Sequence, residues 1–163
     1  MVTINFKPAR QKSRAGFTMI ELVFVIVVLG ILAAVAIPRL AATRDDAAMV
    51  KGRSDVSAIR SGIALQRSRM MLEGNNTFPA NLDGIDANYG NSDQRLFNFS
   101  DGNASNILEY PIFSANRDGG WLKATATTYT YSVGGVATTF TYTNANGLFN
   151  CVAGAANCNA LTR

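Results

Sequence analysis

The hydrophobic pattern of the 163-residue chain changes period three times. From Phe17 to Ile37 it is almost continuously apolar, and the only clearly polar positions are Thr18 and Glu21. At about 1.5 Å rise per residue, a helix of this length spans about 30 Å, the thickness of a bilayer's hydrocarbon core. After Pro38 the pattern turns amphipathic. Met49, Val56, Ile59, Ile63 and Met70 recur at three- and four-residue steps or their sums, with Gly52 and Gln66 completing the stripe. Arg44, Asp45, Lys51, Arg53, Asp55, Arg60 and Arg67 mostly occupy the other faces. One helix is therefore expected from about Phe17 to Leu72, with Gly74 as its stop signal. The glycines Gly52 and Gly62 favour packing against a small sheet over a coiled coil.

Residues 74–108 are rich in Asn, Asp, Gly and Ser and predict a long irregular connection. From Leu108 the alternation becomes strand-like. Tyr129–Val133 and Val136–Tyr142 flank Gly134-Gly135, a two-residue hairpin signal that pairs Val133 with Val136, Tyr131 with Thr138 and Tyr129 with Phe140. Tyr129, Tyr131, Val133, Val136 and Phe140 then share the face that packs on the helix. Leu148 to Val152 predicts a third strand, and another is expected near Leu108–Phe113 or Trp121–Ala126. The fold class is α+β: a long N-terminal helix packed by a small antiparallel sheet in a C-terminal globular domain.

The segment Gly16-Phe17-Thr18-Met19-Ile20-Glu21-Leu22, following a short basic leader, resembles the prepilin signature of type IV pilins and type II secretion pseudopilins. The resemblance covers roughly residues 12–45; beyond it only the family's general layout is present. It implies cleavage after Gly16 by a prepilin peptidase on the cytoplasmic side, N-methylation of Phe17, and storage in the inner membrane. Assembly into a helical homo-oligomeric filament by an inner-membrane platform would follow. The expected parts are a cleaved leader (1–16), a transmembrane and polymerisation half-helix (17–38), an amphipathic half-helix (39–73) and a loop-plus-sheet domain (74–163). Between Gly30 and Pro38 the helix is expected to kink, or to extend on filament packing.

Charge changes the picture only at the N-terminus. Fifteen basic residues stand against eleven acidic ones, but Lys7, Arg10, Lys12 and Arg14 lie in the leader, and the rest of the chain is balanced. The basic excess therefore reads as orientation, with the leader cytoplasmic and the residues after Pro38 outside, rather than as nucleic-acid binding. A secretory signal would have a shorter apolar run, with the cleavage site after it. An uncleaved signal anchor would leave Glu21 unexplained.

Glu21 is the candidate assembly residue. A carboxylate in lipid is costly unless neutralised, and cleavage after Gly16 creates an amine on Phe17 one helical turn away. Glu21 could meet its own chain's amine or that of the next subunit, setting register and driving recruitment. The simpler reading is an acid stabilising the first turn of a helix.

The chain has no histidine, and no zinc set, phosphate loop or nucleophile–base pair can be assembled. No enzymatic activity and no cofactor are expected. Asp83, Asp86, Asn88 and Asp93 could supply calcium ligands, but without EF-hand spacing they read as solvated turns. Sequons occur at Asn75, Asn98 and Asn103, with an acid two residues before Asn75 and Asn103 that resembles the extended acceptor of bacterial oligosaccharyltransferases. Outside the inner membrane Cys151 and Cys158 are expected to form a disulfide. The reading is a structural filament subunit of a pilus or secretion pseudopilus. The alternative is a minor pilin at a filament tip, as an adhesion or DNA-uptake module. Arg95, Arg117, Lys123 and Arg163 are outnumbered by acids in residues 74–163, which argues against DNA.

Overall fold

A computed structural model describes residues 16–84, 89–98 and 106–163. Contacts divide the chain between Leu40 and Ala41 into an N-terminal unit and a globular unit. The element order is α1 (Met19–Leu72), β1 (Arg95–Leu96), β2 (Ile112–Phe113), β3 (Trp121–Lys123), β4 (Thr128–Val133), β5 (Val136–Thr143), β6 (Leu148–Cys151) and α2 (Cys158–Thr162). This is the α+β, pilin-like arrangement of a long N-terminal helix and a four-stranded antiparallel sheet.

The helix ends where its chemistry says it should. Gly74 has φ +84°, the Asn75 N–H reaches the Met70 carbonyl at 2.8 Å and the Gly74 N–H reaches Met71 at 3.1 Å. These two bonds satisfy carbonyls the last turn would otherwise leave open, and the left-handed residue they require is the glycine. Within the globular unit the buried helix positions are Ala48, Gly52, Val56, Ile59, Gly62, Ile63 and Gln66, while Met49 and Met70 are partly buried. Small residues thus make up more of the buried stripe than its apolar periodicity indicates.

The sheet order is β3-β4-β5-β6. Gly134 and Gly135 have φ +58° and +74°, so both central turn residues are left-handed, as a two-residue hairpin that follows the strand twist requires. The register pairs Val133 with Val136, Tyr131 with Thr138 and Tyr129 with Phe140. One assignment needs correction: Val136 is 44% exposed. Since β6 pairs only with Phe140–Thr143, the first half of β5 is paired on its β4 side alone, and the hairpin tip stays open. Tyr142, further along the same face, is buried in its place. Both candidate strand regions before the hairpin are extended: Trp121–Lys123 joins the main sheet, and Ile112–Phe113 pairs with Arg95–Leu96 in a separate two-stranded ribbon. That ribbon lies partly inside the segment read as irregular, because a two-residue strand has no period to detect.

Trp121, Tyr129, Tyr131, Phe97, Phe140 and Phe149 are fully buried and form the centre of the core, with Val56, Ile59 and Ile63 from the helix. Trp121 lies 4.8 Å from the Tyr131 ring and 5.2 Å from Phe140, and Phe97 lies 4.7 Å from Tyr129, centroid to centroid. Their polar tips are all engaged. Trp121 Nε1 donates to Asp55 Oδ2 (3.0 Å), the Tyr131 hydroxyl to the Ala48 carbonyl (2.6 Å) and the Tyr142 hydroxyl to the Pro79 carbonyl (2.6 Å). Aromatic residues therefore bring large apolar area into a small domain without leaving a buried donor unsatisfied.

Candidate functional site

The N-terminal unit starts with a reciprocal cap. The Glu21 N–H donates to Thr18 Oγ1 (3.3 Å), while the Thr18 N–H and hydroxyl both donate to Glu21 Oε2 (2.9 and 2.8 Å). Thr18 is the N-cap and Glu21 the third helical residue, so Thr-Met-Ile-Glu forms a capping box that satisfies donors no intrahelical carbonyl can reach. The carboxylate that the sequence singles out for assembly therefore already has a local role in starting the helix. Gly16 and Phe17 precede the cap, and Phe17 is 86% exposed.

From the cap onward no residue of this unit is covered. Leu22, Phe24, Ile26, Leu29, Ile31, Leu32, Val35 and Ile37 are all exposed. The helix is long and apolar enough to cross a membrane, with a mean hydropathy of 3.0 in its most apolar window. Burial of one such side chain is favourable by about 1.5–3 kcal/mol, so an apolar surface this size in water would be strongly unstable. Gly30 and Pro38 both lie within the helix, and a side chain on Gly30 would meet nothing within 4 Å. Proline has no N–H to give the turn before it, so the ladder loses a bond at Pro38.

The other singled-out residues lie in the globular unit. Cys151 and Cys158 form a disulfide with Cα atoms 5.8 Å apart, tying the end of β6 to the start of α2. Behind it, Arg53 Nε donates to the Ala160 carbonyl (2.9 Å), and Arg60 donates to the carbonyls of Phe149 (3.1 Å) and Thr162 (3.4 Å). Leu161 is fully buried. The C-terminal turn is thus held by a covalent bridge, an apolar plug and two helix arginines. Arg53 and Arg60 lie off the apolar stripe, as the sequence pattern indicates. Their long side chains reach the tail along the edge of the buried stripe.

Asp83 is not in a solvated turn. It is buried, accepts from Lys123 Nζ and from the Tyr129 hydroxyl, and so has its carboxylate committed inside the protein. Asp93 sits at φ +62° in an exposed turn. Asp86 and Asn88 lie outside the described residues, and among the described residues no cluster of three or more acidic, His or Cys side chains could hold a metal. The side-chain oxygen of Asn75 accepts from the N–H (3.1 Å) and hydroxyl (2.8 Å) of Thr77 in an exposed turn. Asn98 Nδ2 donates to the carbonyls of Leu108 (2.9 Å) and Glu109 (3.3 Å), which engages its amide with the backbone. Asn103 lies outside the described residues.

Residues 11–37 match the family model of the prokaryotic N-terminal methylation motif. The chain is 33% identical over 78 residues to type II secretion system core protein G of Aeromonas hydrophila, covering 48% of this chain and 51% of the relative. The same protein of Pseudomonas aeruginosa is 31% identical over the same span. The type IV narrow pilus major component PilA5 of Thermus thermophilus is 44% identical over 50 residues, covering 31% of this chain and 43% of the relative. No solved structure matches the chain. The chain spans about half the length of the secretion relatives it matches. Over its N-terminal part the chain is thus similar both to a type II secretion core protein and to a type IV pilus component, and it carries the methylation motif at residues 11–37.

Proposed function

We propose that the chain is the precursor of a structural filament subunit, of a type IV pilus or a type II secretion pseudopilus. It would be cleaved after Gly16 and N-methylated on Phe17, and its 17–38 half-helix would move from inner-membrane lipid into a bundle of identical helices. Residues 1–16 would be the cytoplasmic leader, 39–73 the amphipathic stem, and 74–163 a domain outside the inner membrane. Prepilin peptidase, an assembly platform and membrane lipid would be the partners, and no catalysis is assigned. The observation that carries this reading is the wholly uncovered apolar helix beginning at a Thr18–Glu21 cap, in the segment that matches the methylation motif. Lipid and a second copy both cover such a surface, and a subunit must exchange one for the other.

Two measurements test it. Intact mass of the protein in sheared surface filaments and in membranes should show a chain that lacks residues 1–16 and carries one added methyl group. An uncleaved chain starting at Met1 in both fractions would overturn the proposal. Glu21→Ala should leave processing and membrane insertion intact but abolish filaments. Normal filaments from that variant would remove Glu21 from the assembly mechanism.

A further inference from the structure

Asp83 and Lys123 are the charged residues that are buried among the described residues of the globular unit. The Lys123 side chain is 5% exposed and that of Asp83 is wholly enclosed. They come from different places: Asp83 from the connection after α1, Lys123 from the end of edge strand β3. Lys123 stands opposite Tyr129 in the β3–β4 register, so two neighbouring strands present an amine and a phenol to one carboxylate. Lys123 Nζ is in contact with Asp83 Oδ1, and the Tyr129 hydroxyl donates to Asp83 Oδ2 at 2.7 Å. Leu82, the residue before Asp83, is essentially inaccessible, as is Phe97, whose ring lies 4.7 Å from that of Tyr129, and the Tyr89 ring centroid is 5.9 Å from Nζ.

A buried ion pair is an expensive arrangement, because both charges give up their hydration. One proton passed from the ammonium to the carboxylate removes both charges and leaves a neutral amine touching a carboxylic acid. These are the reactants of amide formation, held in a dry site at an effective concentration that reaches about 10⁵–10⁸ M for well-oriented groups. We infer that Asp83 and Lys123 condense to an intramolecular isopeptide bond that ties the post-helix connection to the sheet.

The step balances without a co-reactant. After the proton transfer, the Nζ lone pair attacks Asp83 Cγ and forms the N–C bond. Negative charge develops on Oδ2, where the Tyr129 hydroxyl already donates. Oδ1 takes the proton received earlier and a second from Nζ, and leaves as water when its bond to Cγ breaks. The product is a neutral secondary amide that still accepts from Tyr129. Tyr129 suits this role because burial, and then the negative charge of Asp83, push its hydroxyl's pKa up and keep it a donor. The inference does not depend on whether the chain polymerises.

The test is peptide mapping of the disulfide-reduced, trypsin-digested full chain purified in detergent, beside its intact mass. The expected result is a chain lighter by one water. A branched peptide should join Met70–Arg95 to Asp118–Arg163, because an acylated Lys123 is not cleaved. Lys123→Arg, which retains the charge but not the reactive amine, should restore the water and remove the branch. Tyr129→Phe should slow the appearance of the branched peptide by about 10²-fold, the usual effect of losing one donor to a developing oxyanion. Cleavage after Lys123 and full mass in the native, disulfide-bonded protein would overturn the inference and leave an ion pair. A branched peptide that forms at the same rate in Tyr129→Phe would overturn the role given to the hydroxyl.

Discussion

Gly62 lies against the backbone of Ile107, so that a methyl group on Gly62 would sit 2.9 Å from the Ile107 carbonyl carbon and closer still to its oxygen. Ten residues earlier on the same stripe, a methyl on Gly52 would sit 2.7 Å from Leu161 Cδ2, 2.8 Å from Tyr131 Cζ and closer still to Tyr131 Cε1. The two glycines let the stem helix come within backbone distance of what covers it. Their neighbours differ, however: Gly52 faces side chains and Gly62 faces main chain. Gly62→Ala should therefore destabilise the globular unit by about 1–3 kcal/mol despite the better helix propensity of alanine. A urea titration of the full chain in detergent, followed by tryptophan fluorescence, reads this directly. An unchanged midpoint would show that the Ile107 segment moves aside freely.

Alkaline pH should unfold the globular unit through its buried phenols. Burial and the nearby Asp55 push Tyr131 up to about 12, and burial pushes Tyr142 up to about 12. Tyrosines of the unfolded chain ionise near 10, so between about pH 10 and 12 the unfolded state holds fewer protons than the native state. Stability contributed by these groups is thus complete below pH 10 and is lost as pH rises through 12. Urea midpoints at stepped pH, with tyrosinate absorbance recorded on the same samples, should fall together across that window. Tyr131→Phe, which has no proton to lose but gives up the bond to Ala48, should flatten part of the fall.

Reduction of the Cys151–Cys158 disulfide should release the C-terminal turn before the sheet. The bridge encloses a short loop and contributes about 2–3 kcal/mol on the chain-entropy model. Leu161, Arg53 and Arg60 still hold α2 once it is cut. Limited proteolysis under reducing conditions should cut first between Val152 and Asn157, with the tyrosine-rich hairpin still protected. Simultaneous loss of the hairpin would mean that the tail is part of the cooperative core.

Capping and charge can be separated at Glu21. A glutamine can take the third position of a capping box but carries no charge. Glu21→Gln should retain the helix start seen with Thr18 and yet fail to assemble, if neutralising an amine is what the carboxylate does. Thr18→Val should do the reverse, fraying the first turn while retaining assembly. Filament yield by shearing, alongside membrane insertion by alkaline extraction, distinguishes the two. Full assembly of Glu21→Gln would assign the residue to helix capping alone.

Most of the fold was legible because its determinants are local. The Gly134-Gly135 pair dictates a two-residue turn, and the turn dictates which residues of β4 and β5 face each other. Gly74 ends α1 because only a residue at ease in the left-handed region closes the last turn with these two bonds. The Thr18-to-Glu21 spacing is a capping box by sequence alone, in keeping with an acid that stabilises the first turn. Alternation gives Val136 its face but not whether that face is covered at the hairpin tip, where it is exposed although paired with Val133. Gln66, read as completing the apolar stripe, and Gly62, read as favouring close packing, are both buried.

What the sequence determined by itself is the division into an apolar span, an amphipathic stem and a hairpin-based sheet, since period and turn chemistry act within a few residues. Only the tertiary structure decided which polar groups go inside. Asp55 answers Trp121 across 66 positions, Asp83 answers Tyr129 across 46, and Ala48 receives the Tyr131 hydroxyl across 83. Nothing local marks these partners. A buried donor needs an acceptor wherever packing happens to bring one, and that choice is made when the sheet closes on the helix.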